Sequence, residues 1–294
     1  MQRLGGTLAD LAPITGSNRK PANAAILFDW ESWWASELDS HPTDQLRYRQ
    51  EALNWYSAFL ALGIRADVIP VTSRFEDYAL VIAPVLHVVP QELANRISQY
   101  AQGGGHFVTT YFSGVVDSND HVWLGGYPGA FRELLGIRIE EFGPLADGTG
   151  VDLDNGTTGK LWADRIDLAA DNVDVLARFT GEDYDSAAAV TQRPVGRGSA
   201  AYVGTRLSPD ALQPLLRTFA EAAGVEAELP AELAGAVELV LRAKGTEEFA
   251  FLINRSDAVV DVSAIPGAPL VGSGEFGSLK LGPRDVAVLR RPLS

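Results

Sequence analysis

The sequence contains no cysteine, and this absence excludes disulfide bonds, thiolate catalysis and cysteine-bound zinc. Histidine is scarce too, and the spacing of the histidines fits no common pattern of metal ligands. The four histidines are His41, His87, His106 and His121. We therefore predict neither a metal site nor a cofactor.

Basic residues and long apolar runs are also few. The 24 lysines and arginines are outnumbered by 38 acidic residues, which gives a formal net charge of −14. Such a chain repels a phosphate backbone, so we expect no nucleic-acid partner. No apolar run approaches the roughly 20 residues that span a bilayer, so we expect no membrane partner. The opening "MQRLGGTLADLAP" has no apolar signal core, which predicts a cytoplasmic protein.

Strand and helix patterns alternate from residue 24 to about residue 225, which predicts an α/β domain with a parallel, doubly wound sheet. The predicted strands are 24–28, 66–71, 78–86, 106–112 and 173–180, followed by a hairpin over 186–205. The predicted helices are 43–63, 90–105 and 208–224. In the first of these helices we expect Thr43 as the N-cap. We expect its buried stripe to consist of Leu46, Leu53, Tyr56 and Leu60.

Three further segments complete the predicted organisation. Residues 112–172 are rich in glycine, aspartate and proline, which predicts an irregular insertion that leaves the sheet and contains a short helix near 128–136. Residues 3–12 predict a short amphipathic helix. After residue 225, segments of alternating apolar and polar residues predict a small antiparallel sheet. Its strands are predicted at 237–245, 248–256, 258–264 and 285–291.

The end of the first strand carries two carboxylates among tryptophans. Ligands collect at the carboxyl ends of parallel strands, so Asp29 and Glu31 are candidates for a catalytic acid pair. A glycosidase pair must be held at a set separation, however, and two residues leaving one strand end have no defined separation. Trp30, Trp33 and Trp34 could stack on a sugar, but tryptophan is also enriched in interface hot spots. We favour a buried interface.

A hydrolase is the second hypothesis from the residues alone. Ser113, Asp117 and His121 follow the predicted strand 106–112, where such sheets can place a nucleophile. The glycine frame of a nucleophile elbow is incomplete, because only Gly114 fits it. A serine and a histidine this close in a polar loop usually only solvate it, so we favour a polar loop over a catalytic group.

Long, ordered segments of the chain carry a family resemblance. They are "AAILFDWESWWA", "YALVIAPVLHVV", "GGGHFVTTYFSGVVDSNDHVWLGGYPGAFRELLGI", "FAFLINRS" and "LGPRDVAVL". Together they resemble the C-terminal part of the β-galactosidases of glycoside hydrolase family 42, and the resemblance covers nearly the whole chain.

The resemblance implies a domain arrangement. Residues 21–228 would be a flavodoxin-like trimerisation domain of the class I glutamine amidotransferase-like type, and residues 229–294 a small antiparallel β-domain. Residues 1–20 would then be the remnant of the closing helix of a (β/α)₈ barrel and its linker. A barrel needs about 250 residues, so we expect that the catalytic barrel is not part of this chain.

The resemblance also implies a function. Family members hydrolyse terminal β-D-galactosides by a retaining mechanism with two barrel glutamates, and no position here matches either of them. We expect a non-catalytic region that forms a homotrimer and, in a full-length parent, adjoins the barrel. The candidates for an interface or a pocket wall are Asp29, Trp30, Glu31, Trp33, Trp34, Trp123, Tyr127 and Phe131.

Two alternatives to this function stay open. One is a free-standing α/β hydrolase that uses Ser113, His121 and Asp117. The other is a galactoside-binding module whose three tryptophans stack on the sugar.

Overall fold

The computed structural model describes residues 2–181, 183–184, 186–271, 274–275 and 278–293. The chain divides into two compact units. One unit comprises Asn23–Ala58 and Ala66–Val225, and is called the sheet unit below. The other comprises Met1–Ala22, Phe59–Arg65 and Glu226–Ser294, and is called the terminal unit.

The helices follow several of the predicted boundaries. They are α1 Gln2–Asp10, α2 Trp30–Ser36, α3 Tyr48–Ala61, α4 Gln91–Gln102, α5 Arg132–Leu135 and α6 Pro209–Ala222, with 3₁₀ turns at Ala12–Ile14 and Gly129–Phe131. Helix α4 follows Pro90 and ends before Gly103, and α6 is capped by Ser208, as predicted. Within the described residues no helix combines the length and the apolar character that a membrane crossing needs.

The strands fall into several sheets. They are β1 Asn18–Arg19, β2 Ala24–Phe28, β3 Ala66–Pro70, β4 Leu80–Ala83, β5 His106–Thr110, β6 Ile137–Arg138, β7 Gly150–Asp152, β8 Thr158–Ala163, β9 Asp167–Leu168, β10 Asp174–Arg178, β11 Ala188–Val195, β12 Gly198–Val203, β13 Thr205–Arg206, β14 Val237–Lys244, β15 Glu247–Asn254, β16 Val260–Asp261, β17 Ala268–Val271, β18 Gly274–Glu275, β19 Ser278–Leu281 and β20 Val286–Pro292.

A seven-stranded sheet forms the centre of the sheet unit, in the order β10-β11-β12-β5-β4-β2-β3. Strands β3, β2, β4, β5 and β12 run parallel, as predicted. The predicted hairpin consists of β11 and β12, and β11 runs antiparallel to the five parallel strands. Strand β10 pairs antiparallel with β11, so the sheet is mixed rather than purely parallel. The α/β class is confirmed.

Both faces of this sheet are buried. Leu27, Val81 and Phe107 point to one face, where they share a core with residues of α4 and α5. The alternate residues Ile26 and Ile82 point to the other face and are fully buried as well. Strands buried on both faces read as continuous apolar runs, which explains the composition of "AAILF" and "LVIA".

Helix α3 departs from the prediction. It begins at Tyr48 rather than after Thr43, because the Tyr48 N–H donates to the Glu37 carboxylate at 2.8 Å. The predicted apolar stripe is wrong in part, since Leu53 is 43% exposed and the buried Leu46 precedes the helix, whereas Tyr56 and Leu60 are half-buried. The helix instead buries a face that contains Ala52 and Trp55.

The terminal unit contains an antiparallel sheet in the order β1-β14-β15-β20-β17, which confirms the predicted strands 237–245, 248–256 and 285–291. The predicted strand 258–264 is wrong for this sheet, because only Val260–Asp261 is a strand and it pairs with β19 in a separate sheet. The first strand of the sheet, β1, comes from the N-terminal segment, for which the sequence patterns predict no strand. A buried ion cluster lies within this unit, where the Glu248 carboxylate pairs with Lys20 at 2.7 Å and with Arg291 at 2.5 Å. These cations lower the pKa of Glu248 against the effect of burial. The cluster fixes the segment that contains Lys20 onto the sheet.

Candidate functional site

The junction between β2 and α2 uses its two carboxylates separately. Asp29 is the N-cap of α2, and its Oδ2 accepts a hydrogen bond from the Ser32 N–H at 2.8 Å. The Asp29 N–H donates to the Tyr48 hydroxyl at 2.8 Å. Glu31 lies exposed in the first turn, where the helix dipole favours a carboxylate. This geometry stabilises the helix start and gives no sign of a catalytic acid pair.

Helix α2 is fixed on its buried side. Ser32 and Ser36 are fully buried, and the Val88 N–H donates to Ser32 Oγ at 3.0 Å. After the helix, His41 Nε2 lies 2.6 Å from the carbonyl oxygen of Ala35. The short helix therefore has a defined position although it contains only seven residues.

The structure brings the three predicted tryptophans together and exposes two of them. Trp30 is 54% exposed and Trp34 is 66% exposed, whereas Trp33 is half-buried. The rings of Trp30 and Trp33 stack with centroids 5.2 Å apart, and Phe28 contacts Trp33 edge-on at 5.7 Å. We call Trp30 and Trp34 the tryptophan face. Large aromatic surface on a fixed helix marks a site of interaction.

Internal hydrogen bonds close the sheet edge where ligands bind in many α/β proteins. The Val85 N–H donates to Thr110 Oγ1 at 2.8 Å, and the Leu86 N–H donates to Ser113 Oγ at 2.9 Å. Val85 has a φ of 47°, in the left-handed region, so the chain turns sharply after β4. These bonds occupy side chains at the carboxyl ends of the strands that could otherwise contact a ligand.

The Ser113, Asp117 and His121 group is not assembled as a catalytic triad. Ser113 is buried and accepts the Leu86 bond described above. Asp117 Oδ1 accepts the N–H groups of Asn119 and His121, which lower its pKa. The His121 ring is exposed, and no hydrogen bond joins it to Ser113 in the described part of the chain. The geometry is that of an ordered polar turn.

A buried histidine lies close to this edge and was not among the sequence candidates. His87 is 1% exposed, and its ring lies 5.2 Å from the ring of His41. Burial and then the neighbouring His41 lower the pKa of His87 to about 4. The ring is therefore neutral at pH 7 and packs against Phe112, at 4.4 Å between centroids.

The other sequence candidates divide between the surface and the core. Trp123 is half-buried, and its Nε1–H donates to the carbonyl oxygen of Val89 at 3.1 Å. Tyr127 is half-buried and stacks on Phe142 with centroids 4.0 Å apart. Phe131 is fully buried in the core of the sheet unit, so it presents no surface to a partner.

A buried carboxyl group escaped the sequence analysis. Asp164 is 2% exposed; its Oδ1 accepts the Trp162 indole N–H at 2.6 Å and its Oδ2 accepts the Tyr202 hydroxyl at 2.7 Å. Burial raises the pKa of Asp164 to about 7, and the two donors oppose the rise. The Trp-x-Asp spacing was the one local signal, but Tyr202 is distant in sequence and only the fold supplies it.

A second buried carboxylate joins α3 to β13. Glu51 is buried, and its Oε1 accepts a hydrogen bond from Arg206 Nε at 2.7 Å. Burial raises the pKa of Glu51, and the Arg206 charge opposes that rise. Both buried carboxyl groups accept hydrogen bonds from internal donors. Neither belongs to the short helix that carries the tryptophan face.

Models of two known domains match the chain. Residues 22–226 match the β-galactosidase trimerisation domain, and residues 236–291 match the β-galactosidase C-terminal domain. The chain is 36% identical over 293 residues to the β-galactosidase LacZ of Heyndrickxia coagulans, covering 98% of this chain and 43% of that protein. It is 37% identical over 287 residues to a β-galactosidase of Arthrobacter sp., covering 97% of this chain and 40% of that protein.

Solved structures give the same match. The crystal structure of the β-galactosidase from Bacillus circulans sp. alkalophilus superposes with a TM-score of 0.89 at 31% identity, covering 98% of this chain and 44% of that one. The β-galactosidase from Rahnella sp. R3 superposes with a TM-score of 0.87, also at 31% identity, covering 99% of this chain and 44% of that one. The chain thus spans about two fifths of the length of the relatives it matches.

Proposed function

This chain belongs to the β-galactosidases of glycoside hydrolase family 42, and on that premise we propose that it is the region that joins copies of the protein into a homotrimer. The observation that carries the proposal is the tryptophan face. Two tryptophans expose more than half of their surface on a helix that buried hydrogen bonds hold in place. Tryptophans of this kind concentrate binding energy at the centres of protein interfaces.

In this proposal residues 21–228 form a flavodoxin-like trimerisation domain. The order β3-β2-β4-β5-β12 supports it, because it corresponds to the 2-1-3-4-5 order of flavodoxin-like sheets. Residues 229–294 form the small β-domain, and residues 1–20 are the end of a barrel helix with its linker.

The interface candidates have unequal parts in the proposed assembly. Trp30 and Trp34 supply the contact area, and Trp33 supports them from below. Asp29 and Glu31 stabilise the start of the helix. Trp123 and Tyr127 belong to a second half-buried surface, whereas the buried Phe131 supports that surface from the core.

The whole protein, in this proposal, hydrolyses terminal β-D-galactosides by a retaining mechanism with two glutamates of a (β/α)₈ barrel. The residues described here assemble that enzyme and do not break the glycosidic bond. The capping role of Asp29 and the buried position of Ser113 support this division of labour.

Light scattering coupled to size exclusion tests the assembly. At micromolar concentration the chain should elute as a species of about three times its mass of 31.5 kDa. The double substitution Trp30→Ala/Trp34→Ala should shift it towards the monomer, because an interface tryptophan contributes about 2 kcal/mol, or roughly 30-fold in Kd. Leu168→Ala is the matched control, since Leu168 is 46% exposed and lies outside the proposed surface. A monomer at every concentration would refute the assembly role of this chain.

Two further assays separate the proposal from its rivals. The purified chain should release no galactose from a chromogenic β-galactoside and should not cleave a chromogenic ester. Turnover of the ester that Ser113→Ala abolishes would establish the hydrolase instead. Calorimetry with galactose and lactose should show no binding heat, and heat that Trp34→Ala removes would establish a galactoside-binding module.

A further inference from the structure

We propose that the exposed Val122–Leu124 tip of one copy packs on the tryptophan face of the next copy. This inference rests on the proposed homotrimer and names the second half of its interface. The tip is the most exposed apolar feature of the sheet unit, with Leu124 86% exposed and Val122 53% exposed.

The tip is held in an ordered loop. Between its two exposed residues, Trp123 is anchored by its indole bond to Val89 and by its own N–H, which donates to the carbonyl oxygen of Val115 at 2.9 Å. Gly125 follows Leu124 with a φ of 97°, which turns the chain back towards the protein. Leu124 therefore lies at a bend directly after a residue that two hydrogen bonds anchor.

A ring of three needs two different patches. A surface patch can contact the same patch on another copy only across a two-fold axis, and a ring of three has no such axis. Each copy in a closed trimer must therefore present one patch to one neighbour and a different patch to the other neighbour. The described residues of the sheet unit offer two different apolar patches for this purpose, one of flat aromatic rings and one of branched aliphatic side chains.

The two patches flank one short segment of the chain. Val88 donates its N–H to Ser32 of the helix that carries the tryptophan face, and the carbonyl oxygen of Val89 accepts the Trp123 indole bond next to the tip. Val88 and Val89 are buried, so both patches are tied to one fixed segment of the sheet unit. Each copy therefore presents the two patches in a defined relative position, as a closed ring requires.

The chemistry of the patches is complementary. An aliphatic side chain that contacts an indole ring loses apolar surface to water without leaving a polar group unpaired. Two charged side chains lie beside the patches. Glu31 is exposed next to the tryptophans, and Arg132 donates to the carbonyl oxygen of Gly126 just after the tip, so neither charge has to be buried without a partner. An apolar centre with a polar rim is the usual arrangement of an interface.

The absence of cysteine makes chemical cross-linking a direct test. Glu31→Cys places a thiol beside the tryptophan face, and His121→Cys places one beside the tip. Neither substitution changes Trp30, Trp34, Val122 or Leu124, which form the proposed contact. With a short bismaleimide, a mixture of the two single variants should give a linked dimer, and the double variant should give a linked trimer. Each single variant alone should stay unlinked, and so should Glu31→Cys mixed with the control Leu168→Cys.

A second variant tests the contact without cross-linking. Leu124→Glu places a charge at the tip and should weaken trimer formation at least about tenfold, while the control Leu168→Glu should not. A trimer by light scattering whose mixed variants do not link would overturn this pairing and leave the proposed homotrimer standing. Linking of a single variant to itself would indicate a two-fold contact and also overturn the pairing. A monomer would overturn both proposals.

Discussion

Asp164→Asn is the substitution with the most distinctive expected result. The wild-type carboxyl has a pKa of about 7 in the folded protein against an ordinary value of 3.8, and burial causes the rise. Protonated Asp164 is therefore favoured in the folded state. Below pH 3.8 the group is protonated in both the folded and the unfolded state and does not affect the pH dependence of stability. Between pH 3.8 and about 7 it lowers the free energy of unfolding progressively, and above about pH 7 this destabilisation is complete and constant.

The magnitude follows from the two pKa values. At about 1.4 kcal/mol for each pH unit, the full cost is about 4 kcal/mol, and about 3 kcal/mol of it falls between pH 5 and pH 8. Asparagine cannot ionise, so this cost should vanish. Its Oδ1 can still accept the Trp162 indole N–H, and its Nδ2 can donate to the Tyr202 oxygen. The buried Tyr202 O–H then loses its acceptor, which costs about 1–3 kcal/mol at every pH and leaves the pH dependence unchanged.

Urea unfolding at pH 5 and at pH 8 measures this effect. The difference between Asp164→Asn and wild type should change by about 3 kcal/mol in favour of the variant over that interval. Tyr202→Phe should act in the opposite sense, because it removes a donor that lowers the pKa of Asp164. Asp44→Asn, at an exposed position, controls for the loss of one surface charge. Equal pH dependence in wild type and Asp164→Asn would refute the reasoning.

Two other substitutions test the buried polar contacts. Glu248→Gln should lower the free energy of unfolding by about 3 kcal/mol at pH 7, since it leaves Lys20 and Arg291 without their buried counter-charge. The partly exposed Glu247→Gln should change it by less than about 1 kcal/mol, and equal effects in denaturant titrations would contradict the buried-cluster explanation. Ser32→Ala should cost about 1–3 kcal/mol, because the buried Val88 N–H loses its acceptor. A thermal unfolding midpoint equal to that of wild type would show that this bond does not hold helix α2.

Several elements follow from local signals in the sequence. Pro90 and Gly103 bound α4, and Ser208 caps α6, because each of these residues acts on backbone groups within a turn of itself. The apolar run of β2 likewise predicts a strand with both faces buried. The alternating pattern of β14 and β15 predicts an antiparallel sheet with one buried face.

The start of α3 shows where local signals fail. Thr43 has the chemistry of an N-cap, but its hydroxyl accepts only the nearby Gln45 N–H at 3.1 Å. The Tyr48 N–H at the true start is satisfied by Glu37, which precedes it by 11 residues and is placed there by the position of helix α2. Where two residues could each cap the start of a helix, the tertiary structure decides which of them does so.

Sequence patterns alone predict the α/β order of elements, the family and the grouping of three tryptophans on one short segment. Tertiary structure decided that Trp30 and Trp34 face outward, that Phe131 lies in the core, and that Tyr202 meets Asp164. The difference lies in how far along the chain each kind of interaction acts. Caps, turns and apolar periodicity act between residues close in the chain, whereas exposure and the partners of buried charges depend on which distant segments occupy the same space.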